Sequence, residues 1–230
     1  MKEIHEFEEK INIRFNNPDI LEQAFIHRSY LNENRSVKKE HNERLEFLGD
    51  AVLELVITHY LFEKFPDRQE GEMTSYRSAL VNAVTLAQVA TKLEVNEYLL
   101  LSKGEAKDTG RARSYILADT LEAIIGAIYI DQGYDASKRF IYAHITPLTD
   151  EIVAKGLWID AKSKFQEIAQ EKTGITPAYK TVKEAGPDHD KQFTVAVYIG
   201  ADEIAKGTGK SKQEAEQEAA QSALRDSKWK

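Results

Sequence analysis

The chain has 230 residues, with 31 Lys+Arg against 38 Asp+Glu, no Cys and a net charge of −7. With 42% hydrophobic and 30% charged residues it has the composition of an ordinary soluble protein of one or two domains, which excludes wholesale disorder and a membrane protein. The lack of Cys excludes disulfides, thiolate catalysis and Cys-ligated zinc, and the acidic balance argues against nucleic-acid binding along the whole chain.

In chain order, the opening segment MKEIHEFEEKINIRF is too charged for a signal peptide. Residues 45–65 (LEFLGDAVLELVITHYLFEKF) and 114–134 (SYILADTLEAIIGAIYIDQGY) are the strongest helical runs, and residues 78–95 (SALVNAVTLAQVATKLEV) repeat apolar residues at helical spacing. None reaches the ~18 apolar residues of a spanning helix, so no membrane partner is expected and a cytoplasmic location is. A short linker is expected at 154–159. Residues 162–173 then read as an amphipathic helix stopped by Gly174 and Pro177. Strands are expected at 178–185, 192–199 and 203–208, with turn residues between them, and a closing Ala- and Glu-rich helix at 212–225. The expected fold is α+β: an all-α domain at 1–153, then a small α-β-β-β-α module at 160–228. Charge divides along the same line. Residues 1–150 carry 18 basic and 25 acidic side chains, whereas residues 151–230 carry 13 of each.

Two of the helical runs carry carboxylates among apolar residues. Glu43, Glu46 and Asp50 are spaced i, i+3, i+7 along one stripe, flanked by Leu45, Phe47, Leu48 and Leu53. Asp119 and Glu122 are spaced i, i+3 in a helix that is otherwise mostly Ile, Leu and Ala. Gly49 and Gly126 lie inside these runs, where Gly costs ~1 kcal/mol against Ala and marks a close approach. On one reading these are ordinary carboxylates on solvated helix faces. On the other, the two helices meet and the acids converge on divalent cations. Oxygen ligands without His or Cys select Mg²⁺ or Mn²⁺, and paired ions ~3.5–4 Å apart suit attack of water on a phosphodiester. The run GTGKS fails as a phosphate loop, because Ile204 stands where that motif needs Gly.

HNERLEFLGD (residues 41–50) resembles the signature of the ribonuclease III family, bacterial endonucleases specific for double-stranded RNA. SYILADTLEAIIGAIYID (114–131) resembles that family's second acidic helix, and AFIHRSY (24–30), EGE (70–72) and SALVN (78–82) match further stretches. The C-terminal module resembles a double-stranded RNA-binding domain. The resemblance implies an all-helical catalytic and dimerisation domain whose Glu46, Asp50, Asp119 and Glu122 bind Mg²⁺, with Mn²⁺ able to substitute. Asp50 and Glu122 are the pair whose loss should hurt the chemistry most. It gives Glu43 and Glu70 accessory roles and makes Phe47 an anchor of a homodimer, with a core aromatic as the alternative. It implies products with 5′-phosphate and 3′-hydroxyl ends and a role in rRNA and mRNA processing.

In the C-terminal module, the expected RNA contacts are Gln166 on the first helix, His189 in the loop GPDHDKQF, and Lys210, Ser211 and Lys212 at the start of the last helix. The module departs from the resemblance there. Many such domains carry a Lys-Lys-x-Ala-Lys pattern, and Gln213 and Glu216 replace two of its Lys residues, so weak autonomous binding is expected. Arg111 and Arg113, ahead of the second acidic helix, are further candidates for phosphate contact against a solvated loop. Two rival functions are a duplex-RNA chaperone with a dead nuclease domain and an all-helical nucleotide pyrophosphohydrolase. The intact acids argue against the first, and the C-terminal module against the second.

Overall fold

A computed structural model describes residues 3–156, 158, 160–187 and 191–229. The chain divides into two compact units, Met1–Trp158 and Ile159–Lys230.

In the first unit the described residues form nine α-helices: α1 (Ile4–Ile11), α2 (Pro18–Ala24), α3 (Arg28–Glu33), α4 (Glu43–Lys64), α5 (Glu70–Val81), α6 (Ala83–Lys92), α7 (Arg111–Gln132), α8 (Tyr134–His144) and α9 (Thr149–Ala154). The two long helices, α4 and α7, pack on each other at the centre. Leu53, Val56, Ile57 and Leu61 of α4 and Leu121, Ile124, Ile125 and Ile128 of α7 are fully or almost fully buried there. A ring cluster of Phe7, Phe25 and Tyr98, with centroids 5.1–5.5 Å apart, closes one side of this core. The apolar run at 78–95 is not one helix. Asn82 adopts an extended ψ of 157°, and its Oδ1 accepts from the Thr85 N–H at 2.9 Å, so it ends α5 and caps α6. Periodicity carries across such a break because both short helices bury the same kind of face.

The second unit runs α10 (Ala161–Thr173), β1 (Ala178–Ala185), β2 (Gln192–Ile199), β3 (Asp202–Gly209) and α11 (Lys212–Arg225). The three strands form an antiparallel sheet in the order β1-β2-β3. Asp160 caps α10 by accepting from the Ser163 N–H at 3.2 Å, and Ser211 caps α11 by accepting from the Glu214 N–H at 3.1 Å. Val197 and Ile199 of the sheet pack with Phe165 and Ala169 of α10 and with Ala219, Ala220 and Ala223 of α11. The alanines let α11 lie close to the sheet. At Gly207, an added Cβ would overlap Ala215 and come within 2.6 Å of the Glu218 carbonyl carbon.

The α+β architecture is the one expected. α10 and β3 extend one residue beyond their predicted limits, a difference within the ordinary fraying of element ends.

Candidate active site

α4 and α7 cross at glycine. An added Cβ on Gly49 would overlap the Glu122 carbonyl and approach the Gly126 nitrogen to 2.8 Å; one on Gly126 would overlap Leu45. No side chain other than hydrogen fits, so the two backbones touch where Glu46 and Glu122 face each other. The chain just before α4 is tied in place at the same point. Asn42 is buried; its N–H donates to the Ile26 carbonyl at 2.9 Å, and its Nδ2 donates to the Ala24 carbonyl at 3.2 Å. Residues 26–29 are anchored in turn. Ile26 bridges Leu100, Ser29 Oγ accepts from the Ser102 N–H, and His27 Nδ1 accepts from the Ser29 N–H to cap α3. Burial lowers the His27 pKa, which favours the neutral ring that this cap requires.

The crossing brings three of the four expected acids together. One carboxylate oxygen each from Glu46, Asp119 and Glu122 lies within 4.8 Å of the others, the one such group among the described residues. All three are half-buried. Asp50 stands outside this trio, exposed and one turn along α4 from Glu46, yet its charge reaches two of the three. Burial raises the Glu122 pKa to about 8, helped by Asp50, Asp119 and Glu46. Glu46 is raised by burial and then by Asp119, Glu43 and Asp50, and Asp119 by burial. Among the described residues, none of the groups acting on Glu122 is a cation. A cluster of carboxylates that burial and mutual repulsion push toward the neutral form is short of positive charge. The trio is thus drawn together and partly buried, unlike carboxylates spread over a solvated helix face.

The other expected residues lie elsewhere. Glu43 is exposed and pairs with Arg28 at 3.4 Å and His41 at 3.8 Å. Glu70 opens α5 in a depression lined by Phe62, Met73 and Arg77. Phe47 is 81% exposed, so it is not a core aromatic of this chain. It borders a depression of about 560 Å³ lined by Ile20, Leu45, Leu48 and Ile130. Arg113 is tied to its own loop, donating to the carbonyls of Glu105 at 2.8 Å and Asp108 at 3.1 Å. The Arg111 side chain lies outside the described ones.

In the second unit Gln166, Lys210 and Lys212 are exposed, and the Ser211 hydroxyl is engaged in the cap of α11. Lys212 Nζ lies 3.2 Å from Glu184. His189 lies outside the described residues. Glu216, the departure from the expected basic pattern, pairs with Lys162 at 2.6 Å and so joins α11 to α10.

Sequence reasoning passed over Asn42. An Asn ahead of a helix reads as an N-cap, but this one makes no side-chain cap bond and spends its amide on the distant Ala24. Nothing local marks that role.

Residues 17–148 match the family model described as Ribonuclease-III-like, and residues 161–227 match the double-stranded RNA binding motif. The chain is similar to Ribonuclease 3 of Enterococcus faecalis, with 45% identity covering 96% of this chain and 95% of that one. It is also similar to Ribonuclease 3 of Geobacillus kaustophilus, with 47% identity covering 95% and 89%. Among solved structures it resembles the nuclease domain of ribonuclease III from Campylobacter jejuni, reported for structural flexibility in the region involved in dimer formation. That match has a TM-score of 0.58 and 38% identity, covering 63% of this chain and 97% of that one.

Proposed function

The chain belongs to the ribonuclease III family, and from that membership we propose how it works: a Mg²⁺-dependent, double-strand-specific endoribonuclease centred on Glu46, Asp50, Asp119 and Glu122. The observation that carries the reading is the carboxylate trio at the α4–α7 crossing, with the Glu122 pKa pushed up to about 8 and no cation among the described residues acting on it. An all-oxygen donor set of this kind fits Mg²⁺, with Mn²⁺ as a substitute, and does not fit zinc. Glu46, Asp119 and Glu122 would hold the ion, which supplies Lewis-acid activation of water and offsets charge on the scissile phosphate.

The chain's own residues do the rest. Glu122 and Glu46 ionise only against each other's repulsion, so the site is built to receive positive charge together with the substrate. Asp50, exposed beside the trio, orients the attacking water and accepts its proton. The water oxygen bonds to phosphorus as its proton passes to Asp50, the bond to the 3′ oxygen breaks, and that oxygen takes a proton from solvent as it leaves, so products carry 5′-phosphate and 3′-hydroxyl ends. Gly49 and Gly126 hold the two acidic helices at the required separation.

The working form in this reading is a homodimer, in which each subunit cuts one strand and leaves a short 3′ overhang. Support comes from Phe47, exposed beside a concavity that presents Leu48 and Ile130. A protruding ring next to a hollow on one surface is self-complementary under two-fold symmetry. Glu43 and Glu70 are accessory acids. Residues 160–228 bind the duplex through Gln166, His189, Lys210, Ser211 and Lys212, reading the shape of the minor groove and its flanking phosphates. The substrates are structured rRNA and mRNA precursors in the cytoplasm.

The test is incubation with a long labelled RNA duplex, with Mg²⁺ and with EDTA. Cleavage only with Mg²⁺, lost in Glu122→Gln, is the expected outcome. Retention of Mg²⁺-dependent cleavage by that variant would falsify the assignment.

A further inference from the structure

Lys212 at the start of α11 and Lys191 just ahead of β2 are already engaged within the chain. Lys212 Nζ lies 3.2 Å from Glu184 Oε1 at the end of β1, and Lys191 Nζ lies 3.3 Å from Glu184 Oε2. One exposed carboxylate thus takes a cation on each oxygen. Lys212 also lies over the ring of Phe193, the β2 residue paired with Glu184, 5.6 Å from its centroid. On α10, Lys162 is held by Glu216 at 2.6 Å and lies over the Tyr179 ring. The Lys210 side chain is in no ion pair among the described residues.

Exposed pairs of this kind add little to folding, and the unit is held by the Phe165, Val197 and Ala219 core. Their effect falls on binding. Affinity for a nucleic-acid backbone grows with the number of phosphates that free Lys and Arg residues neutralise and the counterions so released. A Lys that must first leave a carboxylate contributes less.

We propose that Glu184 is an internal competitor for RNA phosphate, holding Lys191 and Lys212 in ion pairs that duplex RNA must exchange for its own backbone. Glu216 acts in the same way on Lys162. The carboxylates weaken the phosphate contribution, which any polyanion can supply, and leave the 2′-hydroxyl contacts of RNA untouched. The proposal rests on the reading of the C-terminal unit as a duplex-RNA binder.

The test is a binding titration of the full chain, in EDTA to prevent cleavage, against an RNA duplex of about two 16-base-pair footprints. Glu184→Gln is expected to bind roughly threefold to fivefold more tightly, the scale of the exposed Lys212 pair. Its slope of log affinity against log salt should steepen by about one. Asp202→Asn makes the same change in net charge at the exposed start of β3, and should gain less than about twofold. Adding Lys212→Gln to Glu184→Gln should remove most of the gain. Glu184→Asp, one methylene too short to serve both lysines, should gain about twofold, and it carries the test if the Gln variant fails to fold. Glu184 variants that bind no more tightly than Asp202→Asn would overturn the proposal. Absence of duplex binding by every protein, wild type included, would overturn the duplex-binding reading with it.

Discussion

Two charge clusters, one in each unit, are built in opposite ways. At the α4–α7 crossing, three half-buried carboxylates face one another with no cation among the described residues acting on Glu122, while Phe47 stands in solvent a few residues away. In the C-terminal unit two carboxylates beside the helices are matched: Glu184 takes Lys191 and Lys212, and Glu216 takes Lys162. Both patterns consist of acids near helices, and only their partners differ. An uncompensated cluster costs folding free energy and persists where an external ligand completes it. A compensated one folds comfortably and acts by limiting what else its cations can bind.

The sharpest way to break this contrast is Glu122→Gln. Cleavage in Mg²⁺ should fall on the order of a thousandfold, since a charge-stabilising group at the reacting centre is lost. Above pH 8, where Glu122 is ionised, the metal-free variant should melt higher than wild type, because one repelling carboxylate is gone. A lower melting temperature would mean that the trio is not under strain. The uncompensated apolar surface is probed by Phe47→Ala. If the ring is a central interface anchor, truncation should weaken self-association by about thirtyfold in sedimentation.

The crossing itself is tested by Gly126→Ala, whose methyl group would run into Leu45. Overpacking of that kind should cost about 1–3 kcal/mol in urea unfolding and should lower Mg²⁺ affinity as the helices part. An unchanged midpoint would show that the helices can separate freely.

A pH series sharpens the comparison further. Glu122 has a raised folded pKa of about 8 against an ordinary value of 4.5, so between these values the folded state holds the proton that the unfolded state releases. Its contribution is fully present below the ordinary value and is lost as pH rises through about 8. In EDTA, melting temperature should therefore fall by several degrees between pH 5.5 and 8.5, and Mg²⁺ should reverse the trend. The matched unit offers the smallest effect. Glu216→Gln should cost less than about 1 kcal/mol, the range of a partly exposed ion pair.

Much of this was legible from sequence. The long helical runs and the αβββα order follow from hydrophobic period and turn residues, which are local properties. The acids stood out because Asp119 and Glu122 interrupt a helix with almost no other polar face. Gly49 and Gly126 stood out because Gly inside a helix demands a reason. The break at Asn82 was not legible, because apolar spacing alone does not report the ψ of one residue.

By itself, the sequence determined which elements form and which acids are candidates for the chemistry, since periodicity, caps and side-chain identity are written residue by residue. Only the tertiary structure decided which acids share a site. Glu46 meets Asp119 and Glu122 because two helices distant in sequence touch at glycine, while Asp50, on the same stripe as Glu46, remains outside. The tertiary structure also decided that Phe47 faces solvent and that Glu184 holds two lysines. Burial and charge pairing are properties of neighbours in space, and spacing along one chain does not contain them.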